Sequence, residues 1–289
     1  MSRRLFLGAG LLTITGCSTV DLGAERNGGN LLDRLRASGQ VRMGFANEAP
    51  YGYVNRDGVL TGEAPEVGKA IFRRLGINRF VPALSDFGSL IPGLRAGLFD
   101  VIAAGMFITP ARCEQILFSD PDYNAPEALL VRSDDAGGPR TLEDFAQRDQ
   151  LRLGVLLGSV EVDVAAGYGI PADRVVTFAS QAGAIDGVLA GRADGLLLTA
   201  ISLRDALSRR PGAALQLTEP FVPVIDGVPQ YGAGGYGFRP DQRELRDAFN
   251  EELTELKTSG ELLEIVKPFG FTESEMTDLT ADRLCRPGT

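Results

Sequence analysis

The sequence predicts an α/β protein with two lobes, a ligand cleft between them and two crossovers that join them. From residue 40 onward, short apolar runs alternate with helical stretches, the pattern of α/β units. Gly- and Pro-rich breaks at residues 134–139 and 220–237 divide this alternation. A long helical stretch, residues 240–258, follows the second break, so we expect the chain to return to its first lobe.

The individual elements follow from apolar runs and from Gly and Pro at their ends. The first series contains strands at 41–46, 79–82, 101–104 and 128–131 and helices at 65–75 and 89–96. The second contains strands at 153–156, 175–178 and 195–198 and helices at 141–146, from 159, at 182–190 and at 200–208. With crossovers near 131–133 and 233–236, residues 40–131 and 234–289 are assigned to lobe 1 and residues 132–233 to lobe 2.

Composition excludes several functional classes. The 289 residues carry 29 Lys and Arg against 38 Asp and Glu, a net charge of −9, which disfavours nucleic acid as a partner. There is no His, so a Ser-His-Asp triad and a His-ligated metal are impossible, and three Cys are too few for a four-Cys zinc site. We expect no metal, no cofactor and no catalysis.

The amino terminus has the features of an export signal. Arg3 and Arg4 precede an apolar run that is too short to span a bilayer, so residues 1–16 are predicted to be a signal peptide. The arginine pair resembles a twin-arginine signal, and the general secretory route is the alternative. Cys17 ends a lipobox-like segment and is the predicted lipidation site; the alternative is an incidental cysteine. Residues 17–39 are predicted to tether the protein to the membrane.

Two cysteines remain once Cys17 is assigned to lipid. In an oxidising compartment, Cys113 and Cys285 are expected to form a disulfide that holds the C-terminal tail, although two free buried thiols are the alternative.

One segment carries the strongest ligand signal. The strand at 101–104 ends in small residues and is followed by Thr109 and Arg112, three positions apart. Ligands bind at the carboxyl ends of strands in open α/β sheets, and a guanidinium matches a carboxylate in shape and charge. A surface ion pair is the alternative role for Arg112.

The pattern D-x-I-x-A-G-M-x-x-T-x-x-R at residues 100–112 resembles the carboxylate-binding signature of periplasmic solute-binding proteins of amino-acid ABC importers. Residues 153–160 resemble the second-lobe strand and helix start of that family, and residues 191–195 its G-[KR]-x-D-[AG] turn. The resemblance implies a type II periplasmic-binding-protein-like fold and ligand contacts at Thr109, Arg112 and Val160. It also implies an ABC permease with its ATPase as partners, and we expect a monomer.

One departure from the family concerns the ligand's cation. Amino-acid binders usually place an Asp after this turn to receive the α-ammonium, whereas this strand ends in Thr199. An unpaired buried ammonium is costly, so we expect a ligand without one.

Three aromatic residues stand where lobe 1 is predicted to meet the cleft. Tyr51, Phe87 and Phe107, with Glu48 and Arg112 beside them, suggest a cage for a delocalised cation and a carboxylate. Taken individually, each of these rings is better explained as part of the core, and only the combination favours a cage.

A narrower resemblance agrees with that chemistry. N-E-A-P-Y-G-Y, F-G-S-L-I-P-G-L and I-V-K-P-F-G-F resemble the ectoine/hydroxyectoine-binding proteins of an osmolyte ABC importer, which place aromatics at the positions of Tyr51, Phe87 and Phe107. Phe is usual there where Tyr51 stands. The resemblance implies a receptor that delivers ectoine or hydroxyectoine to its permease. The lipobox-like segment at Cys17 is not general to that group but is compatible with this role, so we expect a lipid-anchored receptor, periplasmic or at the cell surface. A polar amino acid or a betaine is the alternative ligand, and a cyclic-acid dehydratase-like enzyme is the alternative function.

A glycine motif at residues 232–237 satisfies G-x-G-x-x-G but does not indicate a nucleotide site. The dinucleotide fingerprint needs a helix that begins at the glycines, and here Phe238, Arg239 and Pro240 follow instead. We interpret the segment as an interlobe strand.

Overall fold

Two separate β-sheets, each with helices packed on it, form two lobes and confirm the predicted α/β class. The fold is described by a computed structural model that covers residues 30–286. Within these residues, no helix combines the length and the apolar character that crossing a bilayer requires. The predicted signal peptide and Cys17 lie outside the described residues.

The first part of lobe 1 alternates strands with helices. Its elements are α1 (Leu31–Ser38), β1 (Gln40–Phe45), β2 (Tyr53–Val54), β3 (Leu60–Thr61), α2 (Glu63–Arg74), β4 (Arg79–Leu84), α3 (Leu90–Arg95), β5 (Val101–Phe107), α4 (Pro110–Cys113), β6 (Leu117–Phe118) and β7 (Tyr123–Ala125).

Lobe 2 follows as a second α/β unit. Its elements are β8 (Glu127–Arg132), α5 (Leu142–Gln147), β9 (Leu153–Leu156), α6 (Glu161–Gly167), β10 (Val175–Phe178), α7 (Gln181–Leu189), β11 (Gly195–Thr199), α8 (Ala200–Ser208) and β12 (Leu215–Leu217). Its sheet has the strand order β10-β9-β11-β8-β12.

The chain then returns to lobe 1 through a small hairpin. The hairpin and the elements after it are β13 (Val224–Ile225), β14 (Val228–Pro229), β15 (Gly232–Phe238), α9 (Arg243–Ser259), α10 (Glu261–Val266) and α11 (Ala281–Leu284). The lobe 1 sheet has the order β4-β1-β5-β15-β6, with β7 also paired to β15. Short 3-10 turns occupy Phe87–Ser89, Ala172–Arg174, Lys267–Phe269 and Glu273–Glu275.

The returning helix α9 packs on lobe 1 because its apolar residues share one face. Leu245, Phe249, Leu253 and Leu256 recur at helical spacing and are buried with Phe72 of α2. Burying each such side chain contributes ~1.5–3 kcal/mol, so this contact holds the two halves of lobe 1 together.

The predicted lobe boundary at residues 131/132 is wrong. The strand Glu127–Arg132 pairs antiparallel with β11 and β12 in the second sheet, so the first crossover lies at Pro126. The predicted second crossover, near residues 233–236, also has to be moved. Residues 232–238 form an inner strand of the lobe 1 sheet and not a link between the lobes. An apolar run shows that a strand is buried but not which sheet receives it.

The predicted tether is too long at its carboxyl end. Residues 31–38 form helix α1, whose Leu32 and Leu35 are buried in the lobe 1 core. Asn30 caps the helix by accepting a hydrogen bond from the Asp33 N–H at 2.9 Å. Leu32 and Leu35 are three positions apart, so they share the face of the helix that packs on the core. The other residues of this segment are mostly polar, which hides the pattern in the sequence.

Cys113, in α4, and Cys285, directly after α11, form a disulfide that spans 172 residues of sequence. A second contact holds the same tail, since the Ala281 N–H donates to Asp120 Oδ1 at 2.8 Å. The tail therefore lies against lobe 1 beside the segment that carries Arg112.

Replacing both cysteines, C113S with C285S, is expected to lower the free energy of unfolding by about 2–4 kcal/mol, because the long loop is no longer closed in the unfolded chain. Denaturant titration of the double variant and of the oxidised wild type measures this loss. Reduced wild type is the control and should match the variant; equal stability of all three samples would contradict the prediction.

Candidate functional site

A small cavity of about 30 Å³ lies between the two lobes. This closed space has room for about two water molecules, at roughly 10–15 Å³ for each, and is well below the range for occupied ligand sites, about 300–1,000 Å³. Lobe 1 supplies half of its lining and lobe 2 the other half: Glu48, Tyr51, Phe87, Gly105, Phe107 and Arg112, then Leu156, Ser159, Val160, Glu161, Leu198 and Thr199.

The structure brings together most of the residues that the sequence suggested as ligand contacts. Those that line the cavity are Glu48, Tyr51, Phe87, Phe107, Arg112, Val160 and Thr199. Thr109 does not line it. Its side chain accepts a hydrogen bond from the Arg112 N–H at 3.3 Å and so caps α4. Thr109 therefore positions Arg112 instead of facing the cavity.

A tight turn after β1 presents Glu48 and Tyr51 to the cavity. Glu48 and Gly52 exchange two backbone hydrogen bonds of 2.9 Å, which close the turn. The Tyr51 ring then lies against Gly105, where a Cβ would approach the ring to 2.4 Å and where φ is +61°. Only glycine can adopt this positive φ readily and also leave room for the ring, which explains why a glycine stands within β5.

Arg112 reaches both lobes. Its Nη1 donates to the Phe107 carbonyl at 2.7 Å and its Nη2 to the Gly158 carbonyl of lobe 2 at 3.0 Å. Its Cζ lies 5.5 Å from the centre of the Phe87 ring, within range of a cation–π contact. Burial lowers the pKa of Arg112, and Glu161 opposes this shift; an arginine nevertheless stays charged at neutral pH.

Glu48 is buried at the interface between the lobes. Its Oε1 accepts from Ser202 Oγ at 2.8 Å, and Gln181 Nε2 donates to the Ala49 carbonyl at 2.8 Å. Burial raises the pKa of Glu48 to about 7. Sequence reasoning missed Ser202 and Gln181, although each lies in a helix that follows a lobe 2 strand.

The hydroxyl of Tyr51 joins the lobes as well. It donates to Thr199 Oγ1 at 2.9 Å, and both side chains are buried. The two departures from the family patterns, Tyr for Phe and Thr for Asp, are therefore in direct contact. With Arg112 and Glu48 also bonded across the cleft, the lobes are in a closed arrangement.

The three predicted cage rings differ in their surroundings. Tyr51 packs on Tyr123 with 5.1 Å between ring centroids, and Phe107 packs on the same ring at 6.1 Å. Both Tyr51 and Phe107 belong to the lobe 1 core as well as to the cavity lining. Phe87 is only partly buried and stands at Arg112.

Two further carboxylates, Glu127 and Glu161, are buried near Glu48 and were missed in the sequence. Glu127 is 3% exposed and Glu161 is 4% exposed. Burial raises the pKa of both, and their mutual repulsion raises that of Glu127 further. An acid directly after G-S-V at residues 158–160 was a usable signal for Glu161, whereas Glu127 became recognisable only when the crossover was located.

Comparison with known proteins agrees with this architecture. Residues 41–272 match the family model of bacterial extracellular solute-binding proteins, family 3. The chain belongs to this family. It is therefore a solute-binding protein of the kind that serves amino-acid-type ABC importers, which work with a membrane permease, and the family implies export to the periplasm.

Similar proteins cover most of the chain. The probable amino-acid ABC transporter periplasmic-binding protein y4tE of Sinorhizobium fredii is 32% identical over 97% of this chain and 94% of its own length. The lysine/arginine/ornithine-binding periplasmic protein of Escherichia coli is 28% identical, over 79% and 86%. Among solved structures, EhuB in complex with hydroxyectoine has a TM-score of 0.82 and 33% identity, over 89% of this chain and 98% of EhuB.

Proposed function

We propose that this protein captures ectoine or hydroxyectoine and delivers it to an ABC permease. The observation that carries the proposal is the pairing of Arg112 with three aromatic rings in one closed cavity, where Thr199 replaces the acid expected for an α-ammonium. Ectoine is a cyclic amidinium carboxylate, so its two charged groups match this arrangement. The structural similarity to EhuB with its bound hydroxyectoine supports the same class of ligand.

Each charged group of the ligand has a proposed partner. Arg112 receives the carboxylate, assisted by the start of α6 at Val160. Glu48 accepts a ring N–H of the amidinium. Tyr51, Phe87 and Phe107 surround the delocalised cation, at ~0.5–2 kcal/mol for each contact.

Ligand contacts from both lobes favour the closed arrangement, which the permease then recognises. We further propose that residues 1–16 are removed and that Cys17 carries the lipid anchor. Mass spectrometry of the mature amino terminus tests this part: an acylated Cys17 is expected, and a free amino terminus at another residue would contradict it.

A ligand screen tests the proposed function directly. We expect ectoine and hydroxyectoine to raise the Tm of the purified protein and to bind with 1:1 stoichiometry in calorimetry. Proline betaine and the twenty amino acids serve as comparison ligands. Binding of arginine or glutamate, with no heat and no thermal shift from millimolar ectoine, would overturn the proposal.

A polar amino acid is the second candidate ligand. The buried carboxylates Glu48 and Glu161 favour it, because either could face an α-ammonium. The basic-amino-acid binders among the relatives point the same way.

Changing Thr199 to Asp separates the two candidates. We expect T199D to weaken ectoine binding by at least about tenfold, since it adds a buried carboxylate to an already acidic cavity. T199N, which has the same shape without the charge, is the control and should lose less. Calorimetry that shows unchanged or tighter binding in T199D would favour an amino-acid ligand instead.

An enzyme of the dehydratase type remains the other alternative function, because a buried carboxyl with a pKa of about 7 suits general acid–base chemistry. Incubating the protein with ectoine and then analysing the solution for reaction products distinguishes a receptor from an enzyme. A receptor returns the ligand unchanged after stoichiometric binding, whereas formation of product would identify an enzyme.

A further inference from the structure

We propose that Glu48, Glu127 and Glu161 make closure of the cleft depend on a positive charge, which protons supply when the cleft is empty and the ligand's cation supplies when it is full. These three side chains are called the acidic trio below. This inference concerns the same site as the proposed function. It rests on that function in one respect: the ligand must carry a cationic group.

The acidic trio is assembled from both lobes. Glu48 follows β1 in lobe 1, whereas Glu127 begins β8 and Glu161 begins α6 in lobe 2. All three are at most 7% exposed in the closed arrangement. Closing the cleft therefore brings lobe 2 carboxylates towards the lobe 1 carboxylate and removes them from water.

Part of this negative charge is poorly compensated. Glu127 Oε2 and Glu161 Oε2 are fully buried and have no hydrogen-bond partner within residues 30–286. Burial raises the pKa of Glu161 overall, although the Ser159 hydroxyl and Arg112 lower it. Glu161 lines the cavity, so its free acceptor capacity is available to a cavity ligand. A buried carboxylate oxygen without a donor is costly unless it is protonated or meets a cation.

The charged groups around the trio cancel it only in part. Burial has the largest effect on the pKa of Glu161 and raises it, whereas Arg112, the cation in the described cavity lining, lowers this pKa by less. Asp163 faces Arg112 and adds negative charge. The other titratable groups that face the trio or Arg112 are Tyr51 and Tyr123, and burial raises the pKa of both, so they stay neutral.

The direction of the pH effect follows from burial. Burial raises the pKa of each trio member, and that of Glu48 reaches about 7. The closed state thus binds protons more tightly than the open state does, in which these groups regain water. Lowering the pH favours empty closure, and raising the pH through 7 favours the open state. A ligand cation lowers the same pKa values. Binding therefore releases protons from the fraction of the empty receptor that is closed and protonated, and affinity tightens as the pH rises and this fraction falls.

This arrangement would keep an empty receptor from presenting the closed form at neutral pH. Like charges from the two lobes repel on closure, and only a solute that carries positive charge removes the penalty. It would also select against anionic solutes, which Arg112 alone would accept.

The first test needs no ligand. Small-angle X-ray scattering of the ligand-free mature protein should show a smaller radius of gyration at pH 5.5 than at pH 8.5. The double variant E127Q/E161Q should be more closed than wild type at pH 8.5, because amides keep the shape of the side chains without their charge. The matched control is E143Q/E219Q, which changes two exposed carboxylates of lobe 2 and should behave as wild type. A radius independent of pH, or a double variant identical to wild type, would overturn the proposal.

The second test counts protons. Calorimetry with ectoine and with arginine at pH 6.5, in two buffers of different ionisation enthalpy, should show proton release for whichever solute binds. Affinity should then rise by up to about tenfold for each pH unit and each proton displaced, and level off above pH 8. Ectoine binding without proton release and without pH dependence would reject the acidic trio and leave the proposed ligand intact. Arginine binding with proton release, and no ectoine binding, would reject the ligand and retain the trio.

Discussion

The variant R112A is expected to bind its ligand at least about 100-fold more weakly than wild type. Arg112 is buried, faces the cavity and bonds to carbonyls of both lobes. Its loss would leave a ligand carboxylate without its cation, and breaking a buried charge pair costs ~2–5 kcal/mol. Isothermal calorimetry with ectoine measures the effect.

Two further variants separate the roles of charge and packing at this site. R112K keeps the charge but loses the planar fork, so we expect an intermediate loss. F107A removes one ring and should lose less affinity than R112A. Wild-type affinity in R112A, with the ligand-free protein folded normally, would show that another group binds the carboxylate.

The variant G88V is expected to bind about 10- to 100-fold more weakly because the cleft can no longer close fully. Gly88 of lobe 1 faces lobe 2, and a Cβ there would lie 3.0 Å from the Leu157 carbonyl oxygen. Its own φ is not in the left-handed region, so valine is compatible with the local backbone. The loss should therefore come from the contact between the lobes and not from strain within lobe 1.

Scattering and calorimetry together test this steric block. With saturating ectoine, G88V should retain a larger radius of gyration than wild type, and its ligand-free Tm should be unchanged. G137V is the matched control, because Gly137 is exposed and its nearest neighbour to an added Cβ is an Asp135 oxygen at 3.9 Å. Tight binding and full closure in G88V would contradict the expected block.

The sequence predicted the elements better than their assignment to lobes. Strands 101–104 and 153–156 follow from apolar runs bounded by turns, and both are present within β5 and β9. The strand at 128–131 was equally clear, yet it pairs in the other sheet, because the hydrophobicity of a strand carries no information on its neighbours. Helix α1 was missed since its packed face rests on only two leucines.

At the site, residue type and position at strand ends were enough to select Glu48, Arg112 and the three rings, all of which line one cavity. Their contact with a ligand stays a prediction. Thr109 had the right spacing but caps a helix instead, because a threonine before Pro can satisfy a backbone N–H locally.

Sequence alone was sufficient for the two-lobed α/β class, the solute-binding family and most of the cavity lining, because these depend on local pattern and motif. Tertiary structure decided how the lobes meet: the Tyr51–Thr199 bond, the approach of Gly88 to Leu157, and the burial of Glu127 and Glu161 beside Glu48. The physical reason is that these contacts join residues more than 65 positions apart, whose distance and shared low dielectric arise only when two separately folded lobes close on each other.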